Sequence, residues 1–161
     1  MPAGFLRIRF SYAVGGQRCL ICMTPHWEHF PHGADIGIRG VGCTPAEAFE
    51  QAAVALCAVI TDVQTVIDRD PIDIHVEAPD RELLFADWIN ALVYEMAVRN
   101  MLFSRFSVRM ENEKMDATAW GEATDKLRHQ PAVEIKGATY TELRVAQNAD
   151  GMWLAQCVVD V

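Results

Sequence analysis

A β-type segment runs through two closely spaced glycines into a helix whose start is specified several times over, and this junction limits what the chain can fold into. In Asp35-Ile36-Gly37-Ile38-Arg39-Gly40-Val41-Gly42, the residues Ile36, Ile38 and Val41 mark a buried side. Gly40 and Gly42 permit a tight turn or the close approach of another backbone. Thr44 is an N-cap and Pro45 is pre-set for the first helical position. Glu47 stands three residues after the cap, where a capping box places its carboxylate. Phe49, Ala52, Ala53, Leu56, Cys57 and Ile60 then recur at helical spacing, giving one wide apolar face about four turns long. A strand that delivers such a helix buries its apolar side under it. Asp35 is left over by this pattern: an acid that opens the strand is either solvated or held for a purpose.

The rest of the chain supplies further strands and one more long helix. Ile72, Ile74 and Val76 alternate with Asp73, His75 and Glu77 as a half-buried strand does, with His75 turned away from the core. Asp80 caps a second helix, in which Leu84, Trp88, Leu92 and Met96 form the inner stripe beside Ile89 and Val93. Trp88 and Tyr94 read as core aromatics, and Asp87 as a solvated acid. Residues 102–110 and 115–120 form a hairpin about Asn112-Glu113. Residues 133–136, 140–146 and 153–159 are further strands, the last preceded by the turn Asn148-Ala149-Asp150-Gly151. Two long helices among some seven strands make the class α+β. The expected architecture is a mixed, mostly antiparallel sheet packed against two main helices in a single domain.

Composition narrows the function classes. The chain has 161 residues, 14 Lys and Arg against 22 Asp and Glu, and a formal net charge of -8. Such a surface repels a phosphate backbone, so strong direct nucleic-acid binding is not expected. No apolar run approaches the ~20 residues that cross a bilayer, and the N-terminus lacks the pattern of a signal peptide. The expectation is a cytoplasmic protein with no membrane contact. Five cysteines, an odd number, suit a reducing compartment, and Cys43 and Cys57 read as packing residues.

Residues 1–25 read as an N-terminal extension, with a short alternation over residues 5–10 and then Gly15-Gly16. Cys19-x-x-Cys22 followed by His26, His29 and His32 contains zinc-ligand residue types, but only three residues separate Cys22 from His26. A zinc finger needs a hairpin and helix between its ligand pairs, so these read as incidental cysteines and strand histidines. No nucleophile elbow, phosphate-cradling loop, dinucleotide fingerprint or His-Glu-x-x-His helix is present.

Six segments in order resemble the archease family, small proteins that assist the RNA ligase joining tRNA exons. The first runs from His32 to Asp35 through Ile36-Gly37-Ile38, Gly40-x-Gly42 and the helix start at Thr44. Asp87-Trp88-Ile89-Asn90, Leu102-Phe103-Ser104-Arg105-Phe106, Ala119-Trp120-Gly121-Glu122 with Arg128-His129, Glu134-Ile135-Lys136-Gly137-Ala138-Thr139-Tyr140, and the terminal Asp160-Val161 follow. The resemblance spans residues 26–161, an archease-like domain. The family usually reads Asp-His-Thr-Ala-Asp where this chain has Pro31-His32-Gly33-Ala34-Asp35, and often has a His where Thr141 stands.

The resemblance implies an activator of the tRNA-splicing RNA ligase, non-catalytic itself, that promotes guanylylation and multiple turnover of that partner. It also implies a divalent-metal site at Asp35, Asp160 and the α-carboxylate of Val161. If the last strand pairs beside the first, these three carboxylates meet at one sheet edge and repel one another unless a hard cation binds them. An all-oxygen set suits Ca²⁺, with Mg²⁺ or Mn²⁺ as alternatives. Lys136 matches a lysine of the family pattern and is either a contact to the partner or a solvated surface residue. Two other readings stay open. One is a free-standing metal-dependent hydrolase with Asp35 and Asp160 as ligands and His32 or His129 handling protons. The other is a general interaction module with an exposed apolar patch.

Overall fold

The computed structural model describes residues 24–161. In chain order it contains β1 (His26–His32), β2 (Asp35–Gly42), α1 (Pro45–Ile60), β3 (Asp70–Glu77) and α2 (Arg81–Arg99), with a single 3-10 turn at Val63–Thr65. There follow β4 (Met101–Glu111), β5 (Lys114–Ala123), the one-turn α3 (Lys126–His129), β6 (Gly137–Ala138), β7 (Arg144–Gln147) and β8 (Trp153–Asp160). The class is α+β with two main helices, and every strand pairing is antiparallel. The strands divide into two sheets. One has the order β1-β2-β8-β6, with β7 also pairing to β8, and the other has the order β3-β5-β4.

Helix α1 explains the division. It packs against β2, β1 and β8 of the first sheet and β4 of the second. Ala48, Phe49, Ala52, Ala53, Ala55, Leu56 and Cys57 are all fully buried, so its apolar surface wraps most of the way round, as befits a helix covered on two sides. Polar bonds run to both layers: His29 Nε2 meets the Ala55 carbonyl at 2.7 Å, and the Val108 amide of β4 donates to Glu50 Oε1 at 2.8 Å. The helix start follows the sequence. Thr44 Oγ1 accepts from the Glu47 amide at 3.2 Å, while Glu47 Oε2 accepts from the Cys43 amide at 2.7 Å, one residue earlier than an ideal capping box. Gly40 serves close approach: a Cβ there would lie 2.0 Å from the Ala48 carbonyl oxygen and 2.3 Å from the Ala52 nitrogen.

Helix α2 closes the core beside α1. Asp80 Oδ1 accepts from the Leu83 amide at 2.8 Å, and the fully buried Trp88 donates through Nε1 to the Phe49 carbonyl at 3.1 Å. Tyr94, expected in the core, is 63% exposed. Two residues beyond Leu92, it lies about 200° round the helix axis from the inner stripe.

Two other expectations change. Residues 133–136 form no strand, because β8 ends at Asp160 and its antiparallel neighbours there are only Gly137 and Ala138. Residues upstream of Gly137 have no strand opposite them. The strand expected over 140–146 is the shorter β7, Arg144–Gln147. Asn112 takes the left-handed conformation at the hairpin between β4 and β5, with φ of 57°. Gly151 does so at the turn into β8, with φ of 79°. Among the described residues no helix is long and apolar enough to cross a membrane.

Candidate functional site

The pairing of β2 with β8 runs Ile38↔Cys157, Gly37↔Val158 and ends at Ile36↔Val159; Asp35 and Asp160 are the residues that follow on the two strands. Along these strands Ile38, Cys157 and Val159 belong to the core under α1. Arg39 and Gln156 lie on the opposite face, where Arg39 Nε donates to Gln156 Oε1 at 2.9 Å. The two-residue side-chain period then puts both Asp35 and Asp160 on this outer face, at the end of the pairing.

Other residues singled out from the sequence lie at the same end. On one side, His32 of β1 pairs with Asp35. On the other, Gly137 of β6 pairs with Asp160, and the Lys136 amide donates to the Asp160 carbonyl at 2.8 Å. Lys136 is exposed, while Asp35 and Asp160 are partly buried. Val161 follows Asp160, and its side chain packs against the core. Asp35, Asp160, Val161 and Lys136 therefore occupy one end of the first sheet, although they come from residues 35, 136 and 160–161 of the sequence.

Electrostatically this end is uncompensated. Among the described residues neither the Asp35 nor the Asp160 carboxylate accepts a hydrogen bond or pairs with a cation. Further along the same face Glu28 does have a partner, since Arg39 NH1 donates to its Oε2 at 2.9 Å. Like charges directly opposite on neighbouring strands are destabilising, and a hard divalent cation coordinated by oxygen removes that cost. The two carboxylates are the donor type such an ion takes. Among the described residues no group of three His, Cys, Asp or Glu side chains stands ready to hold a metal.

A second acidic site went unread in the sequence. Glu122, at the end of β5, is 4% exposed. Its Oε1 accepts from Arg128 at 2.5 Å, His129 Nε2 at 2.9 Å and the Ile67 amide at 3.0 Å. The Arg128 guanidinium and then the Ile67 amide and His129 hold this carboxyl down to about 2, against the desolvation that raises it. The Asp125 amide donates to His129 Nδ1 at 2.8 Å, which fixes the imidazole as the neutral tautomer with its proton on Nε2. Thr61 Oγ1 donates to the His129 carbonyl. The sequence signal was Glu122 followed by the capping residue Asp125 and then Arg128-His129, a turn that folds back over the acid.

The remaining candidates are structural. His29 faces α1, whereas His26 bonds to the Thr24 carbonyl and Glu28. They lie on opposite faces of β1, which does not suit a shared zinc; Cys19 and Cys22 lie outside the described residues. Burial pushes the thiols of Cys57 and Cys157 up to about 12, so neither is a nucleophile. Cys43, read from the sequence as a packing residue, is disulfide-bonded. His75 is exposed between Asp116 and Glu77, which raise its pKa.

Comparison with known proteins gives a consistent result. The Archease protein family model matches residues 27–161. Protein archease of Pyrococcus furiosus is 39% identical over 139 residues, covering 84% of this chain and 98% of that protein. Protein archease of Methanosarcina barkeri is 36% identical over 140 residues, covering 84% and 95%. The solution structure of Methanobacterium thermoautotrophicum protein 1598 superposes with a TM-score of 0.73 at 27% identity, covering 84% of this chain and 98% of that one.

Proposed function

Because the chain belongs to the archease family, we propose that it is an accessory protein of the tRNA-splicing RNA ligase, promoting guanylylation and repeated turnover of that enzyme. The observation that supports the proposal is the β2–β8 register, which brings Asp35 and Asp160 to the same sheet end, where among the described residues neither carboxylate has a hydrogen-bond or ion-pair partner. In this reading Asp35, Asp160 and the Val161 α-carboxylate hold a divalent cation, Ca²⁺ before Mg²⁺ or Mn²⁺. The bound ion would supply positive charge for nucleotide or phosphate oxygens at the partner's active site. The protein's own residues do the positioning. The core contact of the Val161 side chain fixes the end of β8, and the register pins the two aspartates. Lys136, whose backbone amide bonds to the Asp160 carbonyl, is exposed and offers an ammonium to a phosphate or carboxylate of the partner.

The hydrolase alternative has less support. A proton-handling histidine needs a ring nitrogen that can take up and release a proton, and both nitrogens of His129 are engaged, by the Asp125 amide and by Glu122. His32 is exposed next to Asp35, but with two aspartates it makes a sparse and solvated set. The test is ligation by a catalytic amount of the ligase, with and without this protein, beside a reaction lacking ligase. Stimulation of turnover that is lost in Asp160→Asn and reduced in Lys136→Ala is the expected outcome. RNA or nucleotide cleavage in the reaction without ligase would favour the hydrolase.

A further inference from the structure

We propose that Asn90 is a positioning residue for the carboxylate end, holding β6 so that Lys136 stays beside Asp160; this rests on the reading of that end as the functional site. β6 has two residues and pairs only with the last two of β8, Gly137 with Asp160 and Ala138 with Val159. A ladder of that length holds little on its own. Its two flanking amides are tied to different elements. The Lys136 amide donates to the Asp160 carbonyl at 2.8 Å, and the Ala138 amide donates to Asn90 Oδ1 of α2 at 2.9 Å, across 48 residues of sequence. The same oxygen fills the space over Gly137, where a Cβ would stand 3.0 Å from it.

Asn90 is exposed in the middle of α2, where asparagine is a poorer helix former than alanine. Its place there is explained by the bond across to β6, not by the helix itself. Asn90 thus spans α2 to the segment 136–138. Without it that segment loses its polar tie to α2 and rests on its ladder to the end of β8, extended downstream by the Thr139 amide and hydroxyl, which both donate to the Val158 carbonyl at 2.9 Å.

The test uses the full chain and Ca²⁺ alone as probe. In Asn90→Ala the Lys136 and Ala138 amides should exchange with solvent at least about tenfold faster. Ca²⁺ should bind about tenfold more weakly, because the end of β8 that carries Asp160 loses a firmly held β6 neighbour, within the range for groups that orient metal ligands. The melting temperature should hold, because alanine's helix propensity offsets the lost bond. Asn90→Asp keeps the acceptor oxygen and should restore exchange protection. Gly137→Ala crowds that oxygen and should mimic Asn90→Ala, yet add nothing in the Asn90→Ala background. Unchanged exchange at Lys136 in Asn90→Ala, or Asn90→Asp behaving like Asn90→Ala, would overturn the proposal. A wild-type protein that binds no Ca²⁺ overturns the metal reading instead, and the exchange measurement still decides the role of Asn90.

Discussion

The two acidic sites of this molecule differ in where their compensating charge comes from. Glu122 is almost fully buried and receives three donors from within the chain, one of them a guanidinium, so its carboxylate is held ionised down to about 2. Asp35 and Asp160 stand next to each other at a sheet end with no donor from the described residues. A buried acid that carries its own partners secures the fold around it: Glu122 ties α3 and the segment after the 3-10 turn to β5. A pair of acids without partners works slightly against folding through its repulsion and leaves its charge available to an ion. On the proposed reading, the difference separates a carboxylate that serves the structure from carboxylates that serve a ligand.

The largest expected effect lies on the structural side. Glu122→Ala strands the His129 and Ile67 donors and removes the partner of Arg128, and should cost about 3 kcal/mol of unfolding free energy by denaturant titration. The cost lies at the low end for a buried pair because the Arg128 side chain is 40% exposed. Ca²⁺ binding to the folded fraction should not change. If Ca²⁺ binding fell with Glu122, the two acidic sites would not be independent.

The same residue sets an acid limit. With a folded value of about 2 against an ordinary 4.5, the contribution of Glu122 is fully present above about pH 4.5. It is lost as the pH falls from there toward 2, since the unfolded chain takes up the proton first. Thermal melts between pH 5 and 2.5 should show a steep loss in the wild type and a shallower one in Glu122→Gln.

Smaller effects belong to the sheet end. Residues added after Val161 replace its terminal charge with a neutral peptide group. They should weaken Ca²⁺ binding about tenfold, ~1.4 kcal/mol, relative to a tag at the N-terminus. Equal affinities would remove Val161 from the site. The smallest effect has the most informative sign. Without metal, Asp35→Asn or Asp160→Asn relieves a like-charge pair and should stabilise by about 0.5 kcal/mol, a rise of one or two degrees in melting temperature.

The elements were largely legible because their signals are local. Thr44 and Asp80 cap α1 and α2, and the stripe from Leu84 to Met96 is buried. What was not legible depends on which elements meet. Nothing within α1 says that a second sheet covers its other side, and nothing in residues 133–136 reveals that β8 stops at Asp160. Tyr94 was misplaced because its residue type outweighed its angle on the helix. At the candidate site the residue types were visible, but their meeting depends on β2 pairing with β8 some 120 residues later. The sequence offers that pairing only as a condition, and the metal reading at those residues comes from the family resemblance, not from spacing. Asn90 stood inside a noted segment, yet its bond to Ala138 belongs to tertiary structure alone.

The most direct test of a cation site at the end of the first sheet is a calorimetric titration of the full chain with Ca²⁺, repeated with Mg²⁺ and Mn²⁺. It compares the wild type with Asp35→Asn and Asp160→Asn. The expected result is one ion per wild-type chain, with affinity reduced at least about tenfold in each variant while both remain folded. Wild-type affinity in both variants, or no binding of any of the three ions to the wild type, would contradict it.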